Sequence, residues 1–212
     1  MAGSAADVDV ETSKLSQHFI VCPYKNILAM ATHRDDHQCC NHTHQSPATQ
    51  TLDELDFERG VWSAALNGET QKVRKFLDNG GDPNATDSSG YTALHYASRN
   101  GQLEIVRILL QHRANPNCAT RSGGVTPLHR AAYSGHLDVV KLLLDRKASP
   151  SLRDQDGKCS LHKGAERGHL DICKLLVAAD SSLVSLQDNR GRRPVDYVPE
   201  SNVPLRELLK DR

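Results

Sequence analysis

Thr92-Ala93-Leu94-His95 returns as Thr126-Pro127-Leu128-His129 and, in altered form, as Cys159-Ser160-Leu161-His162. The three histidines lie 34 and then 33 residues apart. A fixed period of this length belongs to a row of like supersecondary units, none able to bury its apolar face alone. The recurrence therefore predicts an all-α solenoid of helix-turn-helix units rather than one compact globule.

Each unit makes local physical sense. The Thr stands where an N-cap hydroxyl can engage an orphan backbone N–H. Pro127 follows at the first helical position, where a missing donor costs nothing. Leu and Ala form a short buried stripe. Gly68, Gly101, Gly135 and Gly168 then end the first helix, where a left-handed residue is needed. A second helix shows apolar spacing of three and four at Leu103, Val106, Leu109 and Leu110, and again at Leu137, Val140, Leu143 and Leu144. Asp82-Pro83-Asn84, Asn115-Pro116-Asn117 and Ser149-Pro150-Ser151 break the chain into turns. The units run at about 57–89, 90–123, 124–156 and 157–190, with a partial capping unit at 191–212. Together they predict a repeat domain over 61–212.

These motifs, with the runs at 52–69, 90–101 and 160–173, resemble ankyrin repeats over residues 57–209. The resemblance implies paired antiparallel helices with a β-hairpin finger between units. It implies a structural role for Thr92, His95, Thr126, His129, His162, Gly101, Gly135 and Gly168. Each imidazole is then expected to hydrogen-bond the neighbouring loop. It also implies a partner surface on the concave face, at Tyr96, Arg99 and Asn100, at Arg130, Tyr133 and Ser134, and at Lys163, Glu166 and Arg167. Arg121 and Asp154 are expected at finger tips, beside Ser88, Ser89, Ser122, Gln155, Asn189 and Arg190. Asn84 and Asn117 fall where such repeats can be hydroxylated.

Two departures from the pattern carry expectations. Gly164 replaces the Ala of Ala97 and Ala131, which predicts a helix weaker by about 1 kcal/mol. Arg113 and Lys147 stand where Gly80 ends its helix, so both are expected in the left-handed region at a cost of about 1–2 kcal/mol.

The remainder is less ordered in pattern. Residues 1–50 show no useful period and few large apolar groups, and read as disordered. Met30 opens a change in composition and could mark an internal start. The run at 33–44 holds His37, Cys39, Cys40, His42 and His44, whose ligand types suit zinc or copper. All fall in one short stretch, so the reading is no bound metal and no cofactor, with a metal-responsive protein as the alternative. Residues 51–60 read as a lead-in capping segment, with Thr51 and Glu54 in a capping-box arrangement.

Composition narrows function. Lys plus Arg and Asp plus Glu balance at 26 each, so overall charge does not favour nucleic acid. Charge is unevenly placed, however: 91–174 carries 13 basic and seven acidic groups, whereas 1–60 carries four basic and nine acidic. That distribution favours a partner with an acidic surface. No apolar run reaches the ~18 residues of a membrane span. The N-terminus lacks a secretory pattern, so the six cysteines are expected reduced, in the cytoplasm or nucleus. No His-Glu-x-x-His, phosphate-cradling glycine loop or Gly-x-Ser-x-Gly is present, which argues against an enzyme. The expectation is a monomeric, non-catalytic adaptor or scaffold that binds protein.

Overall fold

The computed structural model describes residues 60–210. The expectations for 1–50, for the Cys/His run and for all but Gly60 of the lead-in segment lie outside the described residues. Nine α-helices occur among the described residues, eight of them in pairs: α1 (Val61–Asn67) with α2 (Thr70–Asp78), α3 (Ala93–Arg99) with α4 (Leu103–Gln111), α5 (Pro127–Ser134) with α6 (Leu137–Asp145), and α7 (Ser160–Glu166) with α8 (Leu170–Ala179). A 3-10 turn at Ser181–Ser185 follows α8. A second, Pro194–Tyr197, takes the place of a first helix, and α9 (Val203–Leu209) that of a second.

The helices form two layers. α1 packs on α3, α3 on α5, α5 on α7 and α7 on the Pro194–Tyr197 turn. The second helices make a parallel outer row, α2 on α4, α4 on α6, α6 on α8 and α8 on α9. The core runs between the rows as one continuous strip. Leu94, Leu128 and Leu161 are each at most 1% exposed, and Ala97, Ala131 and Ala165 fill the gaps between them. Burying one such leucine contributes about 2 kcal/mol. Of the expected second-helix stripes, Val106, Leu109 and Leu110 are buried, as are Val140 and Leu143. Leu103, Leu137 and Leu144 are only half-buried, at the margin of the strip.

The recurring four-residue motif is a capping box with histidine in the usual glutamate position. The backbone N–H of Thr92 donates to His95 Nδ1 over 3.1 Å, and Thr92 Oγ1 lies 2.9 Å from the same nitrogen. Nδ1 accepts from a backbone donor, so the proton sits on Nε2, which donates to the carbonyl of Val125 in the next unit at 3.0 Å. His129 repeats this arrangement with Thr126 and the Lys158 carbonyl. His162 does so with Cys159, whose Sγ is 3.1 Å from Nδ1, and with the Arg192 carbonyl. One side chain thus caps its own helix and ties the next loop down. Burial makes charging these rings costly, so it lowers the pKa of His95 and of His129 to about 4 and lowers that of His162.

Two features differ from the expectations. The fingers are not hairpins of paired strand. No strand occurs among the described residues, and a single antiparallel bridge joins Thr86 to Thr92. Gly164 is more than a weak helix former. A Cβ there would stand 3.2 Å from Cys173 Sγ, closer than a methyl and a thiol ordinarily pack. Arg113 and Lys147 do adopt left-handed backbone, at φ 66° and 67°.

Candidate partner-binding surface

The fingers are closed by side chains rather than by ladders. Asp87 Oδ1 accepts the backbone N–H of Ser89 and of Tyr91, at 3.0 and 2.8 Å. Asp188 Oδ1 accepts from Arg190 and Arg192, both at 2.9 Å, and Asp154 Oδ1 accepts from Lys158 at 2.8 Å. In the second finger Thr120 takes this place, its hydroxyl accepting from Val125 at 3.1 Å. A carboxylate that holds a loop in this way leaves a second oxygen facing the next inner helix or turn.

That second oxygen decides the chemistry of each inner-face position. Asp87 Oδ2 accepts from the Tyr96 hydroxyl at 2.6 Å. Asp154 Oδ2 meets Lys163 Nζ at 2.6 Å, and Asp188 Oδ2 accepts from the Tyr197 hydroxyl. Arg130 occupies the same place above Thr120, where no carboxylate exists. Its guanidinium turns instead to the preceding unit, donating to the Tyr91 hydroxyl and lying 5.0 Å from that ring's centroid.

The inner face therefore has two electrostatic halves. Toward the C-terminal end three cations are spent internally. Lys163 is held by Asp154, Arg192 lies 3.4 Å from Asp188, and Lys158 lies 3.4 Å from Glu166. Tyr197 is flanked by Lys158 Nζ at 4.3 Å and Arg192 Cζ at 4.4 Å. Burial and the adjacent Asp188 push the Tyr197 hydroxyl up to about 12. Burial also works against ionisation of Asp188, but the Tyr197 hydroxyl, two backbone N–H groups and the Arg192 guanidinium outweigh it and hold that carboxyl well below its usual range. In the central half, Arg99, Arg121 and Arg167 are exposed and Arg130 is half-buried. None of the four forms an ion pair among the described residues. Tyr133, 40% exposed, lies beneath the Arg167 guanidinium at 5.1 Å.

The expected partner positions separate accordingly. Arg99, Arg121, Tyr133 and Arg167 face solvent, Ser134 is half-buried, and Arg130 is held by Tyr91. Asp154 is a correction. Expected at a finger tip, it is 8% exposed and spends both oxygens inside the fold. Three other residues have scaffold contacts as well: Tyr96 and Lys163 anchor fingers, and Asn100 Nδ2 donates to the Leu66 carbonyl at 2.8 Å. Glu166 is exposed beside Lys158. Asn84 and Asn117 use their amide oxygens to accept the backbone N–H of Asn115 and Ser149 in the following units, at 2.7 and 2.8 Å.

Sequence reasoning missed Tyr91, Lys158, Arg192 and Tyr197. The signal was there: Asp87, Asp154 and Asp188 each precede by three a glycine of positive φ, Gly90, Gly157 and Gly191. The metal candidates His37, Cys39, Cys40, His42 and His44 lie outside the described residues. Among the described residues no group of three or more His, Cys, Asp or Glu could hold a metal ion. Nor is any described helix long and apolar enough to cross a membrane.

A family model described as "Ankyrin repeats (3 copies)" matches residues 61–154 and 124–188. The chain belongs to the ankyrin repeat family. It is similar to human Ankyrin repeat domain-containing protein 39, 48% identical over 94 residues, which is 43% of this chain and 51% of that protein. The bovine protein of the same name is 58% identical over 67 residues, 31% of this chain and 37% of that one. The chain thus spans about half or less of the length of these relatives. Human Cyclin-dependent kinase 4 inhibitor B is 39% identical over 62 residues, 29% of this chain and 44% of that protein. Ankyrin repeats are generally protein–protein interaction modules, and the fold described above is theirs: paired helices in two rows, with loops projecting from one edge.

Proposed function

We propose that this chain is a non-catalytic adaptor or scaffold that binds a protein partner through an acidic segment laid along the central half of its concave face. One observation carries the reading. Arg99, Arg121, Arg130 and Arg167 lack carboxylate partners among the described residues, while Lys158, Lys163 and Arg192 of the neighbouring half are paired internally. A guanidinium left without a partner offers planar, two-pronged recognition of carboxylates at no cost in broken ion pairs. Tyr133, stacked under Arg167, supplies rigid amphipathic area beside it, and Tyr and Arg are the residue types enriched at binding hot spots. Charge of one sign also speeds encounter with an acidic partner.

The working state is a monomer in the cytoplasm or nucleus. The unpaired thiols of Cys118, Cys159 and Cys173 support a reducing compartment. Proximity labelling in cells, comparing the native chain with Arg99→Glu/Arg130→Glu/Arg167→Glu, tests the function. The expected result is a set of labelled proteins that depends on those three arginines. An unchanged set from a folded variant would refute the concave-face reading.

A further inference from the structure

The outer row of helices changes character at its C-terminal end. α2, α4 and α6 are each followed by a left-handed residue, Gly80, Arg113 or Lys147, which turns the chain sharply toward the next finger. α8 lacks that turn. Asp180 is extended, at φ −154°, and its carboxylate caps the 3-10 turn Ser181–Ser185 by accepting the Ser182 N–H at 3.0 Å. The detour leaves a groove of about 680 Å³ bounded by α8, the 3-10 turn and the end of α9.

The groove's chemistry is specific. Val177, Ala178, Val184 and Leu208 supply its apolar surface, and Lys174 and Lys210 stand beside them. Among the described residues no carboxylate lines it. The two lysines are 55% and 63% exposed, and among the described residues each pairs with one acid three residues earlier in the chain: Asp171 at 3.4 Å and Glu207 at 2.5 Å. Exposed pairs of this kind contribute little, about 0.3–0.5 kcal/mol, and yield readily to a better partner. The volume lies within the few hundred to one thousand Å³ of ordinary binding clefts.

We propose that this groove docks an acidic amphipathic helix of a partner protein. Its walls include two helices, and no strand edge is open to an extended peptide among the described residues. A helix laid between them places apolar residues at three- and four-residue spacing on Val177, Val184 and Leu208. Carboxylates on its flanks then meet Lys174 and Lys210. The site is on the outer row, away from the fingers, and does not depend on the concave-face reading. With both surfaces filled, the chain would bridge two partners.

The probe is a synthetic amphipathic peptide of about four turns, with leucines at i, i+3, i+4 and i+7 and glutamates at the flanking positions. Fluorescence anisotropy measures its binding to the full chain. Binding should weaken by about tenfold or more in Lys174→Glu/Lys210→Glu, and likewise in Ala178→Glu, which fills the groove from an exposed position. Thermal unfolding of both variants should match the native chain, and Arg130→Glu should bind normally. Three results would overturn the proposal: no binding by the native chain, equal binding by a peptide with lysines in place of the glutamates, or binding that survives both groove variants. Self-association of the full chain that Ala178→Glu abolishes would also overturn it, by making a second copy the occupant.

Discussion

The central and C-terminal halves of the concave face share one backbone plan but divide their charges differently. The fingers headed by Asp154 and Asp188 use a second carboxylate oxygen to hold Lys163 or Tyr197, so charge there is consumed by the fold. The finger headed by Thr120 has no such oxygen, and Arg130 above it is left to stack on Tyr91. One residue type at the head of a finger thus decides whether the position nine or ten residues later stabilises the stack or stays open to a partner. Similar sequence composition in two neighbouring repeats therefore says little about which of them binds.

Both halves rest on the same histidine rungs, and breaking those has the largest effect. Their folded pKa values are lowered, so the unfolded chain binds more protons below the ordinary histidine range. The rungs contribute fully above about pH 6.5, and the contribution is lost as pH falls toward about 4. Each of His95 and His129 should account for about 3 kcal/mol across that window. Urea unfolding at a series of pH values checks this, and His129→Gln should remove about 3 kcal/mol of that pH dependence.

The next effect separates the halves directly. Asp154→Ala removes the partner of the half-buried Lys163 and the acceptor of the Lys158 N–H, at a cost of about 2–3 kcal/mol. Arg130→Ala in the other half should cost less than about 1 kcal/mol. Equal losses in denaturant titrations would erase the distinction between spent and unspent charge.

Smaller changes sharpen the picture of the scaffold. Arg113→Gly or Lys147→Gly should raise stability by about 1 kcal/mol, or about 2–4 °C in Tm, by relieving left-handed strain. Gly164→Ala should bring none of the ~1 kcal/mol that helix propensity alone would give, because the new methyl meets Cys173 Sγ. Gly164→Ala combined with Cys173→Ala should recover part of it, as calorimetry would show.

The solenoid was legible in the sequence because a repeat is a signal that local noise cannot imitate. Thr-x-Leu-His fixed both the helix starts and the rungs that tie one unit to the next, since both jobs fall to the same imidazole. Left-handed Arg113 and Lys147 could be placed by register against Gly80. The binding surface was harder to read. Asp154 looks like a tip residue until its two oxygens are followed into the fold, and Arg130 and Lys163 look equivalent until the finger heads Thr120 and Asp154 are compared. The groove beside α8 was not legible either. Its cause is the missing left-handed turn at Asp180, a departure that shows in sequence only as the absence of the Pro-centred turn that ends the other second helices.

The most direct test of the central claim is the salt dependence of partner association. With a partner obtained through the concave face, affinity should fall about tenfold or more as salt rises from about 0.05 to about 0.5 M. Arg99→Glu/Arg130→Glu/Arg167→Glu should bind weakly and lose that dependence while keeping the native Tm. Tight, salt-dependent binding that persists in the triple variant would contradict the account.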